Sequence, residues 1–289
     1  AMSMGEHVPL LVESEWLESR RSDPDLVIVD TRRRAQYFVG HLPGAVSFPM
    51  RGVTDERSWR PGFLPKDEEL CRRLGAAGMR REDHLVLYDD GDGLAACRVF
   101  WALDYLGHPR VSLLNGGFSK WSYEGRKKSL RRPKRPGASY DGRPAPERLV
   151  TAEWIYDRLA NGYGFVLIDC RSTDEYTGAR RKAARGGHIP GAVHVEWTRN
   201  LRETGACPVF RDRDELLALY RGAGATEGVP VVTYCQAQVR GSHTYFVLRW
   251  LGIENAYGYE GSWGEWGNDL QRPIVTGTEP GTIGVTAKG

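Results

Sequence analysis

The sequence predicts an α/β protein made of two similar domains, each built on a parallel sheet with crossover helices. Three observations predict it. The 289 residues exceed the ~100–150 typical of one domain. The second half repeats the first in order, and within each half short β-branched runs alternate with helical patterns.

The repeat is long enough to mean duplication of a domain. Leu11-Val12-Glu13-Ser14-Glu15-Trp16-Leu17 matches Leu149-Val150-Thr151-Ala152-Glu153-Trp154-Ile155, and Val27-Ile28-Val29-Asp30-Thr31-Arg32 matches Val166-Leu167-Ile168-Asp169-Cys170-Arg171. Tyr37 pairs with Tyr176, Gly40 to Val46 with Gly187 to Val193, and Gly116 to Trp121 with Gly261 to Trp266. Between the copies, Arg126 to Arg148 is rich in Arg, Lys, Pro and Gly with almost no apolar periodicity, the composition of an exposed connection. The expected organisation is a domain at 8–125, a basic linker at 126–148, a second domain at 149–275 and a tail at 276–289. The linker lacks interleaved aromatics, so it reads as a solvated strap and not as a nucleic-acid contact.

In the second half the predicted strands are Val166–Asp169, Ala192–Val195, Val231–Cys235 and Ala256–Tyr259. Helices are predicted over Asp214–Arg221, with Asp214 as N-cap, and over Arg240–Leu251. The latter is apolar nearly all round and is expected to lie buried against the sheet. Val231-Val232-Thr233-Tyr234 is continuously apolar, as a central parallel strand is. Trp16, Trp154, Trp263 and Trp266 are expected in the core.

Composition narrows the chemistry. Forty Lys+Arg against thirty-seven Asp+Glu give a net charge of +3, too balanced to call for a nucleic-acid or membrane partner but compatible with a small anionic substrate. Cys71, Cys97, Cys170, Cys207 and Cys235 lie far apart, are odd in number and form no Cys-x-x-Cys pair, so neither a disulfide framework nor a zinc site is expected. No apolar run has transmembrane length, and no charged-then-apolar leader follows Ala1-Met2-Ser3-Met4-Gly5. A soluble, cytoplasmic protein is the expectation.

Cys235 is the candidate nucleophile. Open α/β sheets bind ligands beyond the carboxyl ends of strands, and there the chain reads Tyr234-Cys235-Gln236-Ala237-Gln238-Val239-Arg240. A short loop closing into a helix turns backbone N–H groups inward and adds the positive end of the helix dipole. Gln236, Ala237, Gln238 and Val239 would form such a cradle, lower the thiol pKa and stabilise a sulfur anion on a thiol open to solvent. The other four cysteines read as buried and inert. In the first half Asp89 takes the place of Cys235, so that domain is expected to be catalytically silent.

At these residues the chain resembles the rhodanese family of tandem-domain sulfurtransferases. The resemblance rests on Tyr37 to Ala45, on His188-Ile189-Pro190-Gly191-Ala192, on Ala256 to Trp266 and on His243 eight residues after Cys235. It implies two rhodanese-like domains, each a five-stranded parallel sheet with helices on both faces. It also implies a cofactor-free, ping-pong transfer in which Cys235 takes the outer sulfur of a donor as a persulfide and passes it to cyanide, a thiol or a thioredoxin-like protein. Cysteine phosphatases of similar fold have five residues between Cys and Arg, whereas four separate Cys235 from Arg240, and this favours sulfur over phosphate.

Thiosulfate is the expected donor, with 3-mercaptopyruvate as the alternative and a non-catalytic relay or binding module as a further one. Arg240 is expected to neutralise the departing sulfite, because a guanidinium fork suits three-oxygen anions. Familiar animal members have an Arg directly before the aromatic where Glu175 stands, so a carboxylate clamp is missing here. Eleven residues separate Tyr176 from His188, against three between Tyr37 and His41, and the added segment carries Arg180, Arg181, Lys182 and Arg185 as candidates for steering the donor. Asp30 with Arg32, and Asp169 with Arg171, recur in both halves and are expected to brace loops. His41 and His188 are expected to be turn residues, and His243 to fix the helix under the loop.

Overall fold

The computed structural model describes residues 7–56 and 62–283. The chain forms two compact units that are not cut at one point. The first takes the described residues up to Thr54, then Leu64–Ala145 and Leu201–Phe210. The second takes residues 55–56, 62–63, Pro146–Asn200 and the chain from Arg211 on.

In the first unit the strands are β1 (Leu11–Val12), β2 (Leu26–Asp30), β3 (Val46–Ser47), β4 (His84–Tyr88) and β5 (Val111–Leu114). They form one parallel sheet in the order β1-β5-β4-β2-β3. Helices α1 (Ser14–Arg20), α2 (Arg34–Phe38), α3 (Asp67–Ala76), α4 (Leu94–Tyr105) and α5 (Gly117–Tyr123) connect them. Leu17, Ile28, Tyr37, Val86 and Trp121 form the core on one face.

The basic segment after Arg126 is fastened to this unit. Arg126 pairs with Glu15, Glu18 and Glu124, and Ser129 exchanges two backbone hydrogen bonds with His41. Arg135 pairs with Asp83, and Tyr140 is buried with its hydroxyl 2.7 Å from His108 Nδ1. Many of its other side chains are exposed, as expected of a strap; Tyr140 is the anchor that composition did not announce.

The second unit repeats the plan. Its strands are β6 (Leu149–Val150), β7 (Val166–Asp169) and β8 (Val193–His194), followed by an antiparallel ribbon of β9 (Leu201–Glu203) and β10 (Pro208–Phe210) that belongs to the first unit, then β11 (Val231–Tyr234) and β12 (Ala256–Tyr259). The sheet order is β6-β12-β11-β7-β8, all parallel. The helices are α6 (Ala152–Asn161), α7 (Thr173–Thr177), α8 (Arg213–Gly222), α9 (Val239–Trp250) and α10 (Ser262–Trp266). α9 is buried from Gly241 to Leu248, as its apolar sequence predicts.

Several expectations shift by local chemistry. The N-cap of α8 is Asp212, not Asp214, because its N–H donates to Glu215 at 3.2 Å and a capping box needs that three-residue spacing. β11 ends one residue before Cys235, and α9 starts one before Arg240. Trp263 and Trp266 are fully buried, whereas Trp16 and Trp154 are only partly buried and pack against the edge of the core. The ribbon β9–β10 had no distinct signal; Phe210 N–H docks it on Asn115 Oδ1 at 3.1 Å. Among the described residues no helix is long and apolar enough to cross a membrane.

The retained pairs are braces. Arg32 and Arg171 each fork onto the preceding Asp30 or Asp169, with 2.7 Å from Nη2 to Oδ2, and each donates to a glycine carbonyl, Gly40 or Gly187, at 2.7 Å. His41 and His188 stack on Tyr37 and Tyr176 with their Nδ1 atoms 2.9 and 2.7 Å from the carbonyls of those tyrosines. The Pro-Gly that follows in each copy turns left-handed, at φ +82° for Gly44 and +81° for Gly191, which explains why both turns carry glycine.

Candidate active site

Residues 235–238 form a short loop at the carboxyl end of β11, a central strand, which is where such sheets place ligands. Gln238 makes the turn. Its φ is +56°, unusual for a residue with a side chain, and its buried carboxamide secures the conformation. Nε2 donates to Thr233 Oγ1 at 3.0 Å, and Oε1 accepts from Ser262 Oγ at 3.4 Å. A Cβ on Gly241 would fall inside contact distance of that carboxamide, so the third residue of α9 is a glycine.

α10 clamps the loop from the other side. Cys235 N–H donates to Ser262 Oγ at 3.2 Å, while Trp263 and Gly264 N–H donate to the carbonyls of Cys235 and Gln236 at 2.8 and 2.9 Å. With its own polar groups held from behind, the loop keeps its amides. The N–H groups of residues 236–241 donate to no oxygen or nitrogen among the described residues. Those of Val239, Arg240 and Gly241 are first-turn donors that α9 leaves unsatisfied at the positive end of its dipole.

Cys235 is 1% exposed, which corrects the expectation of a thiol open to solvent. α10 covers one side. On another, Gly62 lies so close that a Cβ there would fall inside contact distance of the Glu260 carbonyl and 3.3 Å from the Ala237 carbonyl carbon. Gln238 points its side chain to Thr233 and Ser262, so only its backbone is left for the cradle.

Arg240 is not a free anion receptor. Its Nη1 and Nη2 fork onto Glu175 Oε2 and Oε1 at 2.7 and 3.0 Å. Burial opposes ionisation of both groups, but the fork outweighs it, holding the Glu175 carboxyl far below the usual range and raising Arg240. Ser172 adds a capping box, its Oγ donating to Glu175 Oε2 at 2.9 Å. The residue read as a lost cation is thus the partner that fixes Arg240; Ser172-x-x-Glu175 signals only the capping box.

The cations of the inserted segment differ in their surroundings. Lys182 Nζ lies 3.3 Å from Glu175 Oε1, and its carbonyl accepts from Gln236 Nε2 at 3.2 Å, which ties the insertion to the loop. Arg180 and Arg181 are exposed. Arg185 is not available for steering, because its guanidinium donates to the carbonyls of Trp266, Gly267, Asp269 and Arg272. His243, on α9, is fully buried, with its Nδ1 3.1 Å from Asn200 Nδ2 and its ring edge-on to Trp197.

The corresponding loop of the first unit is already filled. Asp89 accepts from the N–H groups of Gly91, Gly93 and Ala96 at 2.9, 3.1 and 3.0 Å. A carboxylate occupies the amides there, and the loop has no thiol. Sequence reading missed Ser262, Thr233 and Gly62 as supports of the Cys235 loop; Thr233 acts locally on Gln238, Ser262 and Gly62 act from far along the chain, and Ser262 carries a positive φ of +52° that no local motif announces.

A family model described as the rhodanese-like domain matches the chain twice, over residues 13–124 and 151–269. The chain belongs to the rhodanese-like family. It is a sulfurtransferase of that family, 36% identical over 92% of its length to a thiosulfate sulfurtransferase of Azotobacter vinelandii, of which it covers 97%. It is also 32% identical over 94% of its length to the sulfur carrier protein TtuD of Thermus thermophilus, with 99% of that protein covered. Among solved structures, SseA of Escherichia coli, described as a 3-mercaptopyruvate sulfotransferase with the rhodanese fold, is similar at a TM-score of 0.79 and 27% identity, over 89% of this chain and 99% of that one. The rhodanese fold seen in both units agrees with these likenesses.

Proposed function

We propose that the protein is a thiosulfate sulfurtransferase whose Cys235 carries the transferred sulfur as a persulfide. The Cys235 thiolate attacks the outer sulfur of thiosulfate, the sulfur–sulfur bond breaks and sulfite departs with its electron pair. The persulfide then yields its outer sulfur to a thiophilic acceptor, either cyanide or the thiol of a small molecule or thioredoxin-like protein. The backbone amides of residues 236–241 stabilise the terminal sulfur anion, and the first unit takes no sulfur because Asp89 fills its loop.

The observation that carries the choice of donor is the Glu175–Arg240 fork. A 2-oxo carboxylate is recognised best by a bidentate arginine, and here that fork is filled by a carboxylate of the same unit. Thiosulfate needs only the amide array, with the exposed cations of the insertion, Arg180, Arg181 and Lys182, to attract it, and this supports it over 3-mercaptopyruvate. The 27% identity with SseA keeps 3-mercaptopyruvate as the second reading.

Intact mass after incubation with each donor tests the proposal. Thiosulfate should add one sulfur atom that is absent in Cys235→Ala. Addition by 3-mercaptopyruvate alone would replace thiosulfate as donor, and addition to Cys235→Ala would remove Cys235 from its role.

A further inference from the structure

Cys170 sits beside Cys235. β7 and β11 run parallel, with Val166 opposite Val231 and Asp169 opposite Tyr234, so the next pair in register is Cys170 with Cys235. The ladder reaches that pair: Cys170 N–H donates to the Tyr234 carbonyl at 3.0 Å, repeating the bond from Val166 N–H to the Pro230 carbonyl at 2.8 Å that opens it. Side chains alternate along strands, and Leu167, Val232 and Tyr234 point into the core on one face. Cys170 and Cys235 therefore share the opposite face. Adjacent strands lie about 4.8 Å apart, within the roughly 4.4–6.8 Å that separates the Cα atoms of disulfides. Both residues are buried free thiols.

We propose that Cys170 is a resolving thiol that closes on the Cys235 persulfide, expelling the outer sulfur as hydrogen sulfide and leaving a Cys170–Cys235 disulfide. The proposal rests on the sulfur-loading reading above. Cys170 Sγ attacks Cys235 Sγ, a bond forms between them, and the bond from Cys235 Sγ to the outer sulfur breaks. The electron pair leaves with that sulfur, which takes up the Cys170 proton. Cys170 is oxidised and the outer sulfur reduced, so the donor's sulfane sulfur is the oxidant. A dithiol reductant of the thioredoxin-like class restores both thiols.

The surroundings set the pace. Burial pushes the Cys170 thiol well above its ordinary value, with a hydrogen bond from Thr244 opposing and the nearby Cys235 adding to the rise. Cys170 keeps its proton at rest, and a protonated thiol attacks slowly. Transfer to a waiting thiolate acceptor wins while acceptor is present. When acceptor runs short, the enzyme releases sulfide and locks. In the first unit the equivalent positions are Thr31 and Asp89, with Thr31 N–H 2.9 Å from the Tyr88 carbonyl, so this chemistry belongs to the second unit alone.

The test loads the full chain with thiosulfate, removes excess donor and follows intact mass and free sulfide without acceptor. The wild type should gain one sulfur, then lose it together with two hydrogens, releasing about one sulfide per chain, and peptide mapping should join Cys170 to Cys235. Cys170→Thr, which copies Thr31, and Cys170→Ala should hold the persulfide roughly tenfold longer or more with no such mass loss. Equal persulfide lifetimes in wild type and both variants would overturn the proposal. If thiosulfate and 3-mercaptopyruvate add no sulfur to any form, the donor reading fails instead, and diamide oxidation of the reduced protein decides the thiol pair: a mapped Cys170–Cys235 bond supports it, and none overturns it.

Discussion

Glu175 holds Arg240 in a two-bond fork at 2.7 and 3.0 Å beside the Cys235 loop, with Lys182 Nζ 3.3 Å from the same carboxylate. Glu175→Gln should release the guanidinium and lower the KM for thiosulfate several-fold. It should also destabilise the protein by about 3 kcal/mol, the low end for breaking a buried pair, since Arg240 keeps 19% of its side chain exposed. Because the folded-state value of Glu175 is depressed, its contribution is present above the unfolded carboxylate range and is lost as pH falls through the folded value. Initial rates and urea unfolding at pH 7 and pH 4 read both effects; an unchanged KM would exclude Glu175 from control of donor binding.

Asp89 predicts the opposite slope. Burial, with Asp92 adding, pushes its carboxyl from 3.8 up to about 6 against three amide donors. The native form therefore binds the extra proton, and the stability from this group is full below pH 3.8 and lost as pH rises through about 6. The difference amounts to roughly 3 kcal/mol at most. Hydrogen exchange of the β4 amides in the full chain should slow between pH 7 and pH 5, beyond the intrinsic pH effect, in the wild type, and Asp89→Asn should flatten that trend.

Gly241 and Gln238 should be coupled. Gly241→Ala places a methyl against the Gln238 carboxamide, which is buried and cannot swing away, at an expected cost of about 1–3 kcal/mol. In a Gln238→Ala background the same substitution should cost markedly less. Additive penalties in the denaturation double-mutant cycle would show that the two side chains do not meet.

The cations of the insertion should separate. Arg185→Met takes the guanidinium from four carbonyls, of which those of Trp266, Gly267 and Asp269 keep a backbone donor and that of Arg272 does not, and should cost about 1–2 kcal/mol, with no change in the salt dependence of the thiosulfate KM. Arg180→Gln with Arg181→Gln should leave stability within about 0.5 kcal/mol and flatten that salt dependence. A salt dependence of KM that stays as steep as the wild type's in both variants would retire the steering role of the segment.

The parts legible in the sequence were those written locally or twice. The parallel sheets, the strand before Cys235, the buried helix after it and the Asp–Arg braces follow from hydrophobic runs and from the internal repeat. What escaped depends on contacts distant in sequence: Ser262 behind Cys235, Glu175 on Arg240, and Cys170 in register with Cys235. Arg185 misled because four arginine or lysine side chains look alike in a charge count, while only burial tells a carbonyl staple from an exposed cation. Cys170 looked inert for a sound reason, its burial, yet strand register gives it a neighbour that a cysteine tally ignores.

Two copies of one loop have reached different ends of the same electrostatic problem. In the first unit a tethered carboxylate is a permanent tenant of the amide nest, whereas in the second the loop amides have no protein acceptor among the described residues. Sulfur held on Cys235, as proposed, would be both cargo and structural complement, and the persulfide form should melt at a higher temperature than the sulfur-free one. A thermal scan would thus double as a fuel gauge for the catalytic cycle, readable without any acceptor or coloured product.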